Sequence, residues 1–242
     1  MPPTLPSILL FTLVPVLATG AGAAAAIFRP PGPRVRSAMQ HFAAGVVFSV
    51  VAVELLPDVT RVHDPFEVGW TFAAGVALML GIEWVGRRVA GPEASAPRGA
   101  SFGQLVAVGV DVVLDGLLMG IAFAAGTHEG VLLTGALTLE LLSLGMAIAV
   151  SLAASGASRA RRCLVPTGLA VLLVPGALVG LLMLRGASEH TMAGVLAFGS
   201  AALLYLVTEE LLVEAHETPD TMRATAMFFV GFLVFLLLGM VR

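Results

Sequence analysis

Three carboxylic acids sit where an apolar chain has little reason to keep them. Asp111 and Asp115 lie four residues apart in GVDVVLDGLLMG (109–120), and Glu140 lies in GALTLELLSLG (135–145). Positions i and i+4 share one face of a helix, so the two aspartates point the same way. Met119 continues their stripe, and Ser143 follows Glu140 by three residues on the same side. An unpaired carboxylate near a bilayer centre costs at least ~2.5–3.5 kcal/mol. Such acids are protonated, wetted or bound to a cation. A structural acid in this setting usually has a basic partner, and no arginine falls inside the core of these runs. The pattern predicts an oxygen-rich midplane cation site built from Asp111, Asp115 and Glu140, with Ser143 and Met119 as weak extra ligands. The plainer alternative is a protonated aspartate pair hydrogen-bonded within the bundle.

Other acids flank this centre. ELLPD places Glu54 and Asp58 at i, i+4, and EELLVE supplies Glu209, Glu210 and Glu214. Their segments run in opposite directions, so the two groups are read as the outer and inner mouths of one pathway. A shared motif in oppositely directed helices is what an inverted repeat leaves. Glu83, beside Trp84 and four residues before Arg87, reads as an exposed ion pair at an interfacial anchor. His128–Glu129 and Glu189–His190 could collect metal at the outer face, and His216 could receive an ion inside, but all read more simply as solvated residues of connections and segment ends. There is no Ser/His/Asp set, phosphate loop or HExxH motif, which argues against an enzyme. The one cysteine, Cys163, excludes an internal disulfide and a CxxC metal knuckle.

These residues need helices to hold them. Only 12% of the 242 residues are charged and 58% are hydrophobic, where a soluble domain carries roughly a quarter charged. Eight apolar segments, at about 5–28, 39–57, 67–86, 103–125, 130–154, 164–184, 191–213 and 223–241, predict an all-α polytopic membrane protein of one membrane domain. The first lacks a basic leader region and is read as a membrane helix rather than a cleaved signal. The 27 glycines fit close helix packing, Gly116 and Gly120 at GxxxG spacing among them. All thirteen basic residues are arginine. Ten fall on one side (Arg29, Arg34, Arg36, Arg87, Arg88, Arg98, Arg159, Arg161, Arg162, Arg223) and three on the other (Arg61, Arg185, Arg242). The positive-inside rule then puts both termini outside a cytoplasmic membrane. The expected partner is the lipid bilayer, not nucleic acid.

HFAAGVVFSVVAVELLPDV (41–59), DGLLMGIAFAAG (115–126) and YLVTEELLVEA (205–215) together resemble the ZIP (Zrt-/Irt-like) divalent-metal transporters over nearly the whole chain. The resemblance implies an eight-helix elevator bundle with a 3+2+3 inverted repeat. Helices one, four, five and six (5–28, 103–125, 130–154, 164–184) would form the transport block. Helices two, three, seven and eight (39–57, 67–86, 191–213, 223–241) would form a scaffold that makes a homodimer. The family's fourth helix typically reads His-Asn-x-Pro-Glu-Gly; here it reads Asp111-Val112-Val113-Leu114-Asp115-Gly116. In its fifth helix, Glu140 keeps the acid and Ser143 replaces a second carboxylate. The sixth helix keeps Pro175 without the neighbouring acid, and the His-rich cytoplasmic loop is missing. Lost prolines should leave helices four and five less broken. All-oxygen ligation moves preference away from Zn²⁺ and toward Mn²⁺, Fe²⁺ or Mg²⁺, and among Mn²⁺, Fe²⁺, Zn²⁺, Cd²⁺ and Mg²⁺ the sequence does not single one out. The expectation is secondary transport of a divalent cation as substrate, with no prosthetic group. The rivals are a proton or other non-metal cation carried by the same fold, and a non-transporting homologue.

Overall fold

A computed structural model of the chain describes residues 5–61, 64–90, 102–184, 186–219 and 221–240. The connection at 91–101 with Arg98, and also His63, Arg185 and Arg242, lie outside these residues. Eight helices are long and apolar enough to cross a membrane, consistent with a multi-pass membrane protein. They are α1 (Leu5–Phe28), α2 (Pro33–Arg61), α3 (Pro65–Ala90), α4 (Phe102–Ala125), α5 (Thr127–Ala154), α6 (Arg159–Leu184), α7 (Glu189–His216) and α8 (Met222–Met240). No strand occurs among the described residues.

Several helices start before their apolar runs, because capping residues add a turn. Pro33 opens α2 and Pro65 opens α3, each where a missing N–H costs nothing. Asp64 Oδ1 accepts from the Phe66 and Glu67 amides, both at 3.1 Å. Ser158 and Ser188 cap α6 and α7 through the Arg161 and Thr191 amides. Gly156 (φ 76°) and Gly186 (φ 82°) take the left-handed conformation just past α5 and α6, where a side chain would be strained. As expected from the lost prolines, α4 and α5 run unbroken. Helix α6 loosens at 171–172 between two straight halves.

Glycine sets the pairing. Gly116 and Gly120 of α4 lie against the Leu173 and Ala177 carbonyls of α6, while Gly176 and Gly180 of α6 lie against Val113 and Leu117 of α4. A Cβ at any of these positions would overlap backbone, so the two helices touch main chain to main chain. The same reciprocal contact joins α1 to α5 (Gly22, Gly145) and α2 to α8 (Gly45, Gly231), and Gly75 of α3 lies on α7. These four pairs dominate the packing and sort the helices into two groups. One holds α1, α4, α5 and α6; the other holds α2, α3, α7 and α8. The groups meet mainly where α2 touches α5 and where α4 touches α7 and α3. Exchanging α1–α3 with α6–α8, and α4 with α5, maps the pairings onto one another.

Two short π-helical turns interrupt the bundle, Val51–Leu55 in α2 and Leu206–Leu211 in α7. Each closes in the same way: the Leu56 amide bonds the Val51 carbonyl, and the Leu212 amide bonds the Val207 carbonyl. The sequences are VAVELL (51–56) and VTEELL (207–212). One motif therefore takes one unusual shape twice, with Glu54 and Glu210 at the same position in it. A π turn adds a residue to the winding and re-aims the side chains it carries.

Candidate cation site at the centre of the bundle

Helices α4 and α5 form an antiparallel hairpin joined at Gly126. At 1.5 Å rise per residue, Asp115 lies about 16 Å from that turn, Glu140 about 21 Å and Asp111 about 22 Å. The short connection thus brings Glu140 level with the aspartate pair. Asp111, Asp115 and Glu140 each place a carboxylate oxygen within 4.8 Å of the others. Asp115 is 1% exposed and Glu140 6%, while Asp111 is half-buried. Asp115 Oδ1, Glu140 Oε2 and Ser143 Oγ are buried without a hydrogen-bond partner. Among the described residues no arginine or histidine lies within 4.0 Å of the three acids. Gly116, beside Asp115, pins α4 to α6, and Gly145 pins α5 to α1, so both supporting helices are held by backbone contact.

The two sides of this cluster differ. Toward the Gly126 end lie Met119, Phe123, Leu133 and Leu137, all essentially unexposed and part of one apolar core. Met119, which the stripe pattern offered as a weak ligand, is fully buried in this apolar seal. Toward the arginine-rich end, Glu210 is exposed and close enough to interact electrostatically with Asp111, Asp115 and Glu140. Glu214 follows, half-buried. It accepts from Arg36 at 2.7 Å and from Gln40. Arg36 also reaches Glu217 at 3.3 Å. His41 and His216 meet edge to face at 5.2 Å beside this group. A file of acids therefore leads from the cluster to the arginine-rich end, with Arg36 across its last member. Glu209, grouped with Glu210 in the sequence reading, is exposed and does not interact with the cluster in this way.

At the opposite end Glu54 and Asp58, read from sequence as the outer mouth, have different surroundings. Glu54, 8% exposed, sits in the π turn against Gly239 of α8 and 3.8 Å from His128 Nε2 on α5. Asp58, one turn on, bonds Arg61 at 3.0 Å. Glu83 accepts a hydrogen bond from Tyr205 of α7, a partner the sequence did not suggest; the Arg87 side chain lies outside the described residues. Arg88 stacks over Trp84 at 3.8 Å, a cation–π contact. His190, read from sequence as solvated beside Glu189, is exposed and also lies 3.5 Å from Glu67. With Asp64 it forms a second three-ligand cluster within 4.8 Å. Only the chain reversal that brings the starts of α3 and α7 together could reveal it.

Compared with known proteins, the chain matches no family model and no curated sequence.

Proposed function

We propose that this chain is a secondary transporter that carries a divalent metal cation across a cytoplasmic membrane by alternating access around Asp111, Asp115 and Glu140. One observation supports this above the others: three carboxylates from two helices converge within 4.8 Å, with buried oxygens left unbonded and no basic side chain from the described residues among them. A protein that holds three acids in this way, without a cation of its own, is built for one it acquires. The donors are all oxygen, which suits Mn²⁺, Fe²⁺ or Mg²⁺ better than softer ions.

The asymmetry of the site supports alternating access. In this conformation the cluster communicates with Glu210 and the arginine-rich end, and the apolar seal closes the Gly126 end. Glu54 is the counterpart of Glu210 in the repeated VxxELL motif and is buried behind His128. In the opposite state the block α1, α4, α5 and α6 would shift against α2, α3, α7 and α8, so that the carboxylates exchange Glu210 for Glu54. The resemblance to ZIP transporters supports the same division into block and scaffold, a homodimer through the scaffold, and both termini outside. The direct test is flux into proteoliposomes for Mn²⁺, Fe²⁺, Zn²⁺, Cd²⁺ and Mg²⁺. We expect uptake of the harder ions and its loss in Asp111→Asn/Asp115→Asn. Proton movement without metal flux would select the proton-carrying rival. No flux of any kind would select the non-transporting one.

A further inference from the structure

A groove of about 880 Å³ opens at the arginine-rich end between α2, α5 and α8, away from the carboxylate cluster. Its walls are apolar, with Met39 and Phe42 from α2, Leu139 from α5 and Met227 from α8, and its mouth carries Arg34 and Arg223. Both arginines are exposed, and among the described residues neither has a carboxylate within 4.0 Å. Arg36, two residues along, is by contrast taken up by Glu214 and Glu217. Helices α2 and α8 both begin at this mouth, so the positive ends of two helix dipoles add to the two charges. No side chain caps α2 there.

Uncompensated positive charge above an apolar groove of this size complements one kind of molecule, an amphiphile with an anionic head. A small inorganic anion would satisfy the arginines and leave the groove bare. A zwitterionic lipid would fill the groove but bring its own cation to the arginines. Basic pockets between membrane helices bind anionic headgroups for this reason. We propose that the groove holds an anionic phospholipid, its phosphate on Arg34 and Arg223 and an acyl chain along Met39, Phe42 and Met227. Leu139 precedes Glu140, so the lipid lies against the turn of α5 that carries a cluster acid. It bridges α5 to α2 and α8, across the seam between the two helix groups.

The full chain, purified in detergent and loaded separately with phosphatidylglycerol and phosphatidylcholine, tests this by native mass spectrometry. Wild type should retain phosphatidylglycerol selectively. Arg34→Ala/Arg223→Ala should lose about twenty-fivefold of that retention, the product of about fivefold for each arginine near an anionic surface. Arg34→Lys/Arg223→Lys should keep most of it. Met39→Trp, which fills the groove and leaves the arginines intact, should abolish it. Excess inorganic phosphate should displace little. Equal retention of the two lipids, or retention unchanged in the double alanine or the tryptophan variant, overturns the proposal. So does displacement by phosphate alone, or loss of a dimer mass rather than of lipid in the double alanine variant, which would assign the groove to a second copy.

Discussion

Replacing Asp115 with asparagine keeps the shape of the side chain and removes one charge. Two unit charges at 4.8 Å, the widest spacing in the cluster, repel by about 3.5 kcal/mol at an effective dielectric constant near 20. A fully ionised cluster contains three pairs, and Asp115→Asn removes two of them, about 7 kcal/mol at full ionisation. At partial ionisation a fraction of that is realised. We expect the cation-free variant to gain about 1–2 kcal/mol, which raises the unfolding midpoint by roughly 2–8 °C in a chain of this size. The response to cation should run the other way. At a concentration about 100 times Kd, binding adds about 2.7 kcal/mol to wild type, roughly 5–11 °C. That shift should vanish in Asp115→Asn together with Mn²⁺ uptake. Thermal unfolding in detergent, with and without MnCl₂, reads both effects on one sample. A structural acid would give the reverse pattern, a lower midpoint in the cation-free variant and an undiminished cation shift. That pair of results would refute the site.

The remaining expectations probe the same architecture from other sides. Metal ligands must be deprotonated, so uptake should fall as pH is lowered through the range in which the cluster carboxylates take up protons; flux that stays flat down to a pH at which carboxylates are protonated would argue against carboxylate ligation. Gly116→Ala drives a Cβ into the Leu173 backbone and should cost about 1–3 kcal/mol. Gly81→Ala, with nothing within 4 Å of its added carbon, should instead gain roughly 0.5–1 kcal/mol from helix propensity, and unfolding midpoints compare the two. Tyr205→Phe deletes the hydrogen bond to Glu83 and should lower stability by about 1 kcal/mol, with the same readout.

The sequence announces the helices because each apolar run is long enough to cross a bilayer, and it announces Asp111 and Asp115 because i, i+4 spacing is a property of one helix. Glu140 was also within reach, since a helical hairpin turning at a single glycine leaves little freedom of register. The limit is reached wherever the partner lies on another element. His190 meets Glu67 across more than a hundred residues of chain, and Tyr205 meets Glu83 in the same way. Capped ends such as Pro33 and Ser158 lie outside the apolar runs, so hydropathy alone cuts α2 and α6 short. Met119 fits the aspartate stripe by spacing, and only packing shows it in the apolar seal.

The π turns account for the largest departure and carry the most mechanistic weight. Nothing in VAVELL or VTEELL distinguishes a wide turn from a regular one; what singles the motif out is that it occurs twice, in helices of opposite direction. In each copy the wide turn re-aims one glutamate. Glu210 is accessible and interacts with the cluster, whereas Glu54 is buried against α8 and His128. Both helices belong to the group α2, α3, α7 and α8, and the cluster belongs to the other group. A sliding of one group past the other would move the cluster from the first glutamate toward the second without changing either π turn. The glycine contacts with main chain lie within the four tight pairs, whereas across the seam Gly135 and Gly199 meet only the Phe235 and Leu118 side chains, which leaves such sliding possible. Among the described residues no glycine joins α5 to α2 main chain to main chain. The seam is less extensive than the four tight pairs, and the proposed alternating access would place its movement there.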